Sequence, residues 1–396
     1  MSGIGRGLAR LEDFLQLGRE SLQDALGVGI RPRAFFAPGR INLIGEHVDH
    51  SGGPSLALAV DRGTLVLGRL REDRRLRLRG HRSGETVEFE LDALPASPRG
   101  SWEDYCLGVL RALEPGRLPG LDLWVGGNLP AGVGLSSSAS LTVATSLAAS
   151  RLGGLALDPE QLVEVALEAE RGFVGVPCGR LDPVTVVHGR PGHALLVEPG
   201  PRPPRPVPLD LGEAALVVVE SGVERSLTDG AYARRVEECE AAFDALRLHA
   251  PEAASLAEVS PEVLEVSGHG LDPTLLRRAR HVVEESRRTA VARRCLESGD
   301  LLGLGELLDA SHTSLREGME VSTPELDRLV EVARQVPGVL GARLLGAGFG
   351  GSVLVLAEVG AVASLEERVE ELGHGCPGRS GVHVLEPGGG PRELAG

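Results

Sequence analysis

The sequence predicts a mixed α and β chain with an N-terminal domain of residues 1–205 and a C-terminal domain of residues 206–396. Three observations support this prediction. Short apolar runs that favour strands occur along the whole chain, and longer segments with helical spacing of apolar residues separate them. The proline-rich segment EPGPRPPRPVP at 198–208 marks the boundary, because proline cannot sit inside a helix or a central strand. A chain of 396 residues is long enough for two domains.

The predicted strands are segments in which apolar residues alternate with polar ones or follow one another. They lie at 63–69, 86–91, 121–125, 194–198, 215–220 and 352–357. The predicted helices repeat apolar residues every three or four positions. They lie at 11–26, 102–113, 137–152, 159–171, 228–248, 273–297, 301–316, 324–336 and 362–372. No segment recurs with a period of about 20–50 residues, so a solenoid is not predicted.

The basic residues are unusual, because all 41 of them are arginine. A P-loop nucleotide site, a protein kinase and a pyridoxal enzyme each need a lysine, so these classes are excluded. Any cationic role must fall to arginine, a main-chain amide, a helix N-terminus or a metal. The formal net charge of −15 argues against a nucleic-acid partner, since phosphate backbones are bound mainly by clustered cations.

The cysteines and the apolar segments indicate the compartment. Five cysteines are scattered without a CxxC pair, which predicts neither a disulfide framework nor a zinc site. The N-terminus mixes charges into its apolar positions, and no segment reaches the roughly 18 apolar residues that a membrane span needs. We therefore expect a cytoplasmic monomer that contacts neither membrane nor nucleic acid.

The segment NLPAGVGLSSSASLTVATSLAASRL at 128–152 is typical of a phosphate-binding loop that leads into a helix. Gly132 and Gly134 would let main-chain amides approach phosphate oxygens, and the helix N-terminus adds unpaired N–H groups. Ser138 is a candidate to reach a divalent cation through its oxygen. The alternative is that the serines only cap the helix. Three consecutive serines exceed what one cap needs.

A second polar segment, APGRINLIGEHVDHSGG, forms a glycine-bounded turn at 37–53. Its polar side chains are Arg40, Glu46, His47, Asp49 and His50. Such groups suit polyol recognition, because sugar hydroxyls both donate and accept hydrogen bonds. A metal site is an alternative, since all the acidic and imidazole groups can be ligands, but the spacing matches no zinc pattern. A solvated loop is a further alternative.

Two more acidic residues lie in the segment 168–198. Glu170 falls late in a predicted helix, and Asp182 precedes Pro183. Considered alone, Glu170 is most simply a surface charge and Asp182 a turn former. A functional interpretation of either residue depends on the other motifs.

Together these segments resemble the three motifs of the GHMP kinase family in order, as PGRINLIGEH, LPAGVGLSSSAS and, at 344–352, LLGAGFGGS. EHVDHSGG, FVGVPCGRLDP and the segment 311–330 resemble the galactokinase branch of that family. The similarity runs from residue 34 to residue 356. It implies a two-domain α+β architecture, with an N-terminal domain like ribosomal protein S5 domain 2, a C-terminal ferredoxin-like domain and the active site between them.

The resemblance also implies a reaction, the ATP-dependent phosphorylation of the anomeric hydroxyl of galactose with Mg²⁺ as cofactor. It makes Asp182 the catalytic group that faces the attacking hydroxyl, and Arg40 the group that stabilises the phosphoryl group. The residues implied to hold the sugar are Glu46, His47, Asp49 and Tyr232. Those implied to hold ATP are Gly132, Val133, Gly134, Leu135, Ser136, Ser137 and Ser138. Ser138 and Glu170 are implied to bind Mg²⁺, and the loop at 346–351 to close the site.

Several positions depart from the galactokinase pattern. They are His50, Ser51, Arg180, Leu181, Pro183 and Met319. These departures leave the sugar preference open, so a GHMP kinase for N-acetylgalactosamine, arabinose or a uronic acid is an alternative. A mevalonate or homoserine kinase and a sugar sensor without turnover are further alternatives. The presence of Arg40, Asp182 and the serine run together favours an enzyme.

Overall fold

The structure is a computed structural model that describes residues 11–26, 32–130, 133–176, 178–223, 230–373 and 381–395. The helices are Leu11–Leu26 (α1), Glu103–Ala112 (α2), Ser137–Leu152 (α3), Pro159–Leu167 (α4), Leu181–His188 (α5), Ala231–Leu246 (α6), Pro261–Ser267 (α7), Pro273–Ser298 (α8), Leu301–Ser314 (α9), Pro324–Arg334 (α10) and Val362–Glu371 (α11). The strands are Arg33–Ile44 (β1), Ser55–Arg71 (β2), Arg75–Gly80 (β3), Thr86–Glu90 (β4), Gly120–Gly127 (β5), His193–Val197 (β6), Arg205–Pro208 (β7), Ala214–Glu220 (β8), Val339–Leu345 (β9), Ser352–Glu358 (β10), Val382–Leu385 (β11) and Arg392–Leu394 (β12). Wider π-helical turns follow α4 and α9.

The larger sheet has the order β12-β1-β2-β5-β3-β4, and β6 and β7 extend it beside the start of β2. One face packs against α2, α3, α4 and α5 through an apolar cluster that includes Phe35, Val66 and Leu123. On the other face, α1 covers Leu67 and Trp124. Helix α3, which follows the glycine- and serine-rich loop, lies against β1 and β2. The sheet therefore brings that loop close to the polar turn after β1.

The smaller sheet has the order β11-β8-β10-β9 and is antiparallel throughout. Residues on β8 alternate between its two faces, as the two-residue period of a strand requires. Val217 and Val219 pack against the helices of the C-terminal half, whereas Leu216 and Val218 join a cluster shared with Ile41 and other residues of the larger sheet. This sheet is therefore buried on both faces. In the described ranges no helix, not even the 26-residue α8, is both long and apolar enough to cross a membrane.

The six predicted strands and nine predicted helices all overlap observed ones, which confirms a mixed α and β fold. Residues 228 and 229 of the fifth predicted helix, 228–248, lie outside the described residues, and α6 begins at Ala231. The interpretation of 37–53 as a turn is wrong for its first part, because β1 continues to Ile44. Pro38 is accommodated by a register shift between Pro38 and Arg40 in the pairing of β1 with β2.

The division of the chain at residue 205 stays a prediction. Strand β7 lies within the proline-rich segment and, among the described strands, pairs with β6 alone, as expected of a proline-containing edge strand. Strand β12 returns from the end of the chain to pair with β1. The larger sheet therefore contains residues from both sides of the predicted boundary.

The contact between α9 and β9 depends on two glycines that place main chain directly against main chain. A Cβ atom on Gly305 would lie 2.1 Å from the carbonyl oxygen of Leu340, and one on Gly341 would lie 2.1 Å from the carbonyl oxygen of Gly305. These separations are far below a normal contact of about 3.5–4 Å. The helix could not pack at this distance if either residue carried a side chain.

We predict that Gly305→Ala lowers the free energy of unfolding by about 1–3 kcal/mol or more, because α9 must move away from β9. Chemical denaturation measures this loss. Gly360→Ala is the control, since no described atom lies within 4 Å of a Cβ atom built there. Equal losses in the two variants would contradict the close packing of α9 on β9.

Candidate functional site

An arginine–carboxylate pair joins β1, α5 and the loop before α3. The Nε and Nη2 atoms of Arg40 lie 2.7 Å and 2.6 Å from Oδ1 of Asp182. The Nη1 atom of Arg40 donates to the carbonyl oxygen of Gly134 at 2.8 Å, and its main-chain N–H donates to that of Leu135 at 3.1 Å. The hydroxyl of Ser136 donates to Oδ2 of Asp182. Both oxygens of this carboxylate are therefore held by donors from other elements.

These contacts test two simpler interpretations of the sequence, that the serines only cap α3 and that Asp182 only forms a turn. Ser136 is the N-cap residue of α3, yet its side chain makes no capping hydrogen bond in the described part of the chain and turns to Asp182 instead. Its φ of 53° is in the left-handed region, which is strained for a residue with a side chain. Asp182 lies in the first turn of α5, not in an isolated turn, and its side chain is 28% exposed. Helix capping does not explain Ser136, and Asp182 is accessible from outside.

The remaining residues of the loop before α3 and of its first turn differ in whether their side chains are buried or exposed. Val133 and Leu135 are buried in the apolar cluster between the two sheets, so only their main chain could contact a ligand. Ser137 is exposed and Ser138 half-buried, and both line a cavity of about 380 Å³. Gly132 lies outside the described residues. The predicted phosphate contacts can therefore come from main-chain amides and from the last two serines.

The cavity beside Ser137 is also lined by aromatic residues that the sequence analysis missed. Beside the serines, its walls include His81, Trp102, Tyr105 and Leu141. Trp102 and Tyr105 stand at the start of α2, three positions apart, and so lie on one face of the helix. In a chain with only two tryptophans and two tyrosines, this spacing is the signal that could have identified them. The cavity combines aromatic walls with a polar end formed by serines.

Glu170, in the π-helical turn after α4, lies next to the same serines. Burial raises its pKa to about 7, and the neighbouring carboxylate of Asp182 acts in the same direction. Thr142 Oγ1 donates to Glu170 at 3.3 Å, and Ser138 also bonds to it. Carboxylate and hydroxyl oxygens are the ligands that Mg²⁺ prefers, and its charge would offset the repulsion between the two carboxylates. The residues present therefore fit a magnesium ion.

The turn after β1 carries the predicted sugar-binding residues. Gly45 has a φ of 95° and His47 a φ of 56°. Oε1 of Glu46 accepts from the main-chain N–H of Gly346 at 2.7 Å and from Nη2 of Arg343 at 3.0 Å. Burial alone would raise the pKa of Glu46, but the charges of Arg343 and Arg40 outweigh it and lower the pKa to about 2. Glu46 is therefore an ionised hydrogen-bond acceptor.

Two imidazole rings of this turn lie close to the ring of a tyrosine. Nε2 of His47 is 3.0 Å from the carbonyl oxygen of Ala347, so Nε2 carries the proton and donates it. Burial and the neighbouring His50 lower the pKa of His47 to about 3, which keeps the ring neutral. The ring centroid of Tyr232 lies 5.4 Å from that of His47 and 6.1 Å from that of His50. Burial, reinforced by Asp49, raises the pKa of Tyr232 above its usual range, so its hydroxyl stays protonated.

A cavity of about 460 Å³ opens beside these groups, lined by Asp49, His50, Gly179 and Tyr232 among others. A Cβ atom on Gly179 would lie 2.4 Å from Oδ2 of Asp49, so only glycine leaves the carboxylate where it is. Within the described ranges, no three His, Cys, Asp or Glu side chains are grouped to hold a metal ion. The metal alternative for this turn therefore has no support.

The Arg40–Asp182 pair is linked to residues that line each cavity. Leu181 lines the cavity of about 460 Å³, and the next residue is Asp182. Asp182 bonds to Ser136, and the next two serines line the cavity of about 380 Å³. The pair therefore connects the linings of the two cavities, through Leu181 on one side and the serines of α3 on the other.

Three family models match the sequence. The GHMP kinases N terminal domain matches residues 104–190, the galactokinase galactose-binding signature residues 23–70, and the GHMP kinases C terminal model residues 292–375. A galactokinase of Roseiflexus sp. (strain RS-1) is 39% identical over 355 residues, which cover 89% of this chain and 90% of that protein. A galactokinase of Streptococcus mutans serotype c is 37% identical over 368 residues, which cover 91% and 94%.

Solved structures agree with this result. Galactokinase of Lactococcus lactis, crystallised with galactose, matches with a TM-score of 0.87 and 32% identity over 96% of this chain and 100% of that one. Mevalonate kinase of Methanococcus jannaschii matches with a TM-score of 0.62 over 90% and 98% of the two chains. Its identity is only 18%, so this second likeness concerns the fold alone.

Proposed function

We infer that this chain, which belongs to the galactokinase family of GHMP kinases, transfers a phosphoryl group from ATP to the anomeric hydroxyl of galactose. The products are galactose 1-phosphate and ADP. The observation that supports this most is the Arg40–Asp182 pair, which adjoins residues that line both cavities. Phosphoryl transfer needs two substrates in line and a means of neutralising charge at their junction, and little covalent chemistry.

ATP occupies the cavity of about 380 Å³ in this proposal. The faces of Trp102 and Tyr105 suit a flat base, because aromatic walls are common in nucleotide-sized pockets. The phosphates then lie at the N-terminus of α3, where unpaired N–H groups and the positive end of the helix dipole attract anions. Ser137 and Ser138 add hydroxyl donors at that end. No lysine is needed for such a site.

Galactose occupies the cavity of about 460 Å³. Its hydroxyls meet the carboxylate of Asp49 and the hydroxyl of Tyr232, which line this cavity. The ionised acceptor Glu46 and the neutral imidazole of His47, in the same turn as Asp49, complete the set. Mixed donors and acceptors in fixed positions distinguish one arrangement of hydroxyls from another. The loop of residues 344–352 helps to hold two of these groups, through the amide of Gly346 and the carbonyl of Ala347.

Asp182 accepts the proton of the anomeric hydroxyl, and the oxygen attacks the terminal phosphorus of ATP. Arg40 donates to Asp182 in the structure, and its guanidinium is close enough to the phosphate loop to stabilise the charge of the transferring group. Ser136 orients the carboxylate through its second oxygen. The reaction thus uses a general base and fixed positive charge, both positioned before the substrates bind.

Ser138 and Glu170 would hold Mg²⁺ in this arrangement, because hydroxyl and carboxylate oxygens are the ligands that this ion prefers. When bound, the ion supplies positive charge to the phosphate oxygens. We also propose that the protein acts as a cytoplasmic monomer. Its acidic character and its scattered cysteines support the cytoplasm as compartment.

The first test is a substrate panel. Purified protein is incubated with ATP, Mg²⁺ and, separately, galactose, N-acetylgalactosamine, glucose, arabinose or mevalonate, and ADP release is measured. We expect galactose to give the highest kcat/KM, with the new phosphate on C1 by phosphorus NMR. A phosphate on C6, or no turnover of any hexose, would overturn the proposed reaction.

The second test is Asp182→Asn, which keeps the size of the side chain and most of its local hydrogen bonds. We expect kcat with galactose to fall by about 10²–10⁴-fold, because a general base is lost. Nucleotide affinity and the thermal unfolding midpoint should be retained, since the phosphate loop is unchanged.

Arg40→Met is the companion variant, and it should also lower kcat by removing charge beside the phosphoryl group. A near-normal kcat for Asp182→Asn, in a protein that unfolds at the normal temperature, would show that Asp182 is not the base.

The third test concerns the metal. Glu170→Gln should raise the Mg²⁺ concentration that gives half-maximal turnover by about tenfold or more, because one anionic ligand is lost. Glu168→Gln is the matched control, since Glu168 is an exposed carboxylate in the same π-helical turn. If the two variants have the same Mg²⁺ dependence as the unmodified protein, Glu170 does not bind the ion.

A further inference from the structure

Arg343 is a fully buried arginine on β9, in an otherwise apolar strand. Its Nε donates to the carbonyl oxygen of Leu43 at 2.7 Å. Its Nη2 donates to the carbonyl oxygen of Asn42 at 2.5 Å and to Oε1 of Glu46 at 3.0 Å. One guanidinium of the smaller sheet therefore holds both the main chain at the end of β1 and the carboxylate of the turn that follows β1.

That turn needs to be held from outside. His47 has a φ of 56°, a conformation that costs free energy in a residue with a side chain and persists only when the surroundings impose it. Two further groups that hold the turn also come from the C-terminal half of the chain, beside the hydroxyl of Ser55, which donates to the carbonyl oxygen of Gly45 at 2.8 Å. Glu285 accepts from the N–H of Gly45 at 3.0 Å, and Nε2 of His281 donates to the carbonyl oxygen of Glu46 at 3.0 Å.

Stability does not account for an arginine at this position. Its Nη1 is buried and has no hydrogen-bond partner among the residues that the structure describes. A buried donor without a partner costs free energy, and well-packed apolar residues often replace buried ion pairs without loss of stability. The two parallel donors of a guanidinium, in contrast, fix a carboxylate in one orientation, which an apolar residue cannot do.

We propose that Arg343 is a positioning residue for sugar binding. It orients the Glu46 carboxylate, the end of β1 at residues 42–44 and the turn after it against the loop of residues 346–351, and it does not itself contact the sugar. The inference rests on the proposed function, because it assigns Glu46 to the sugar. A residue of the smaller sheet therefore affects the affinity for galactose, although most of the residues assigned to the sugar lie in the turn after β1 of the larger sheet.

The test uses Arg343→Met and Arg343→Lys, with kcat and the KM values for galactose and ATP measured separately. Arg343→Met should raise the galactose KM by about tenfold to a hundredfold, the scale of one lost charge-assisted contact, and leave the ATP KM nearly unchanged. Arg343→Lys should recover part of the loss, since it keeps the charge but not the planar pair of donors.

Arg278→Met is the matched control, because Arg278 is also a buried arginine and bonds to Glu238 and Glu320, away from the turn. It should lower the thermal midpoint and leave the galactose KM unchanged. If the galactose and ATP KM values rise together in Arg343→Met, or if Arg278→Met raises the galactose KM equally, the role of Arg343 is structural and the proposal fails.

The double variant Arg343→Met/Glu46→Gln separates this proposal from the proposed function. If Arg343 acts through Glu46, the two substitutions together should raise the galactose KM little more than Glu46→Gln alone, whereas multiplied effects would overturn the proposal. Absence of turnover with galactose in the unmodified protein would overturn the proposed function. In that case the thermal midpoints of the single and double variants, measured without sugar, test the contact between Arg343 and Glu46. Shifts that do not add support the contact, and additive shifts overturn it.

Discussion

Pairing of buried or half-buried carboxylates with arginine is the interaction on which this site depends. Asp182 bonds to Arg40, Glu46 to Arg343, and Glu285 to Arg288 at 2.7 Å. A carboxylate taken out of water needs a compensating charge and directed donors. Because the chain contains no lysine, each compensating group is a planar fork that also fixes the orientation of the carboxylate. Charge neutralisation and geometry are therefore supplied by the same contacts.

The two sheets place these pairs at one location. An apolar layer that includes Ile41 and Leu43 of β1, Val218 of β8 and Leu354 of β10 joins the sheets. The polar turn begins where β1 leaves this layer, and the loop of residues 344–352 begins where β9 leaves it. Close-packed protein interiors are hardly compressible, so the displacement of one element is transmitted to its neighbours. The groups assigned to the sugar and the groups assigned to the phosphates are thus held by one rigid junction.

Local sequence patterns predicted the elements that have a clear period and failed where a segment resembles a turn. The helix at Ser137–Leu152 and the strand at Ala214–Glu220 could be predicted because their apolar spacing matches one element type. Strand β1 was missed because Pro38 and Gly39 are typical of turns, although pairing with β2 extends through them. Helix α5 was missed because Pro183 follows Asp182, yet proline is tolerated in the first turn of a helix.

The sequence by itself determined the chemistry that is available: three motifs in order, arginine as the only strong cation, and a carboxylate at Asp182 in the segment 168–198. Only the tertiary structure decided which groups meet. The bond from Ser136 to Asp182, the approach of Trp102 and Tyr105 of α2 to the serines of α3, and the contact of Arg343 with Glu46 join residues from separate elements. Residues 46 and 343 are 297 positions apart, and no local spacing encodes such a contact, because it arises only when both sheets pack.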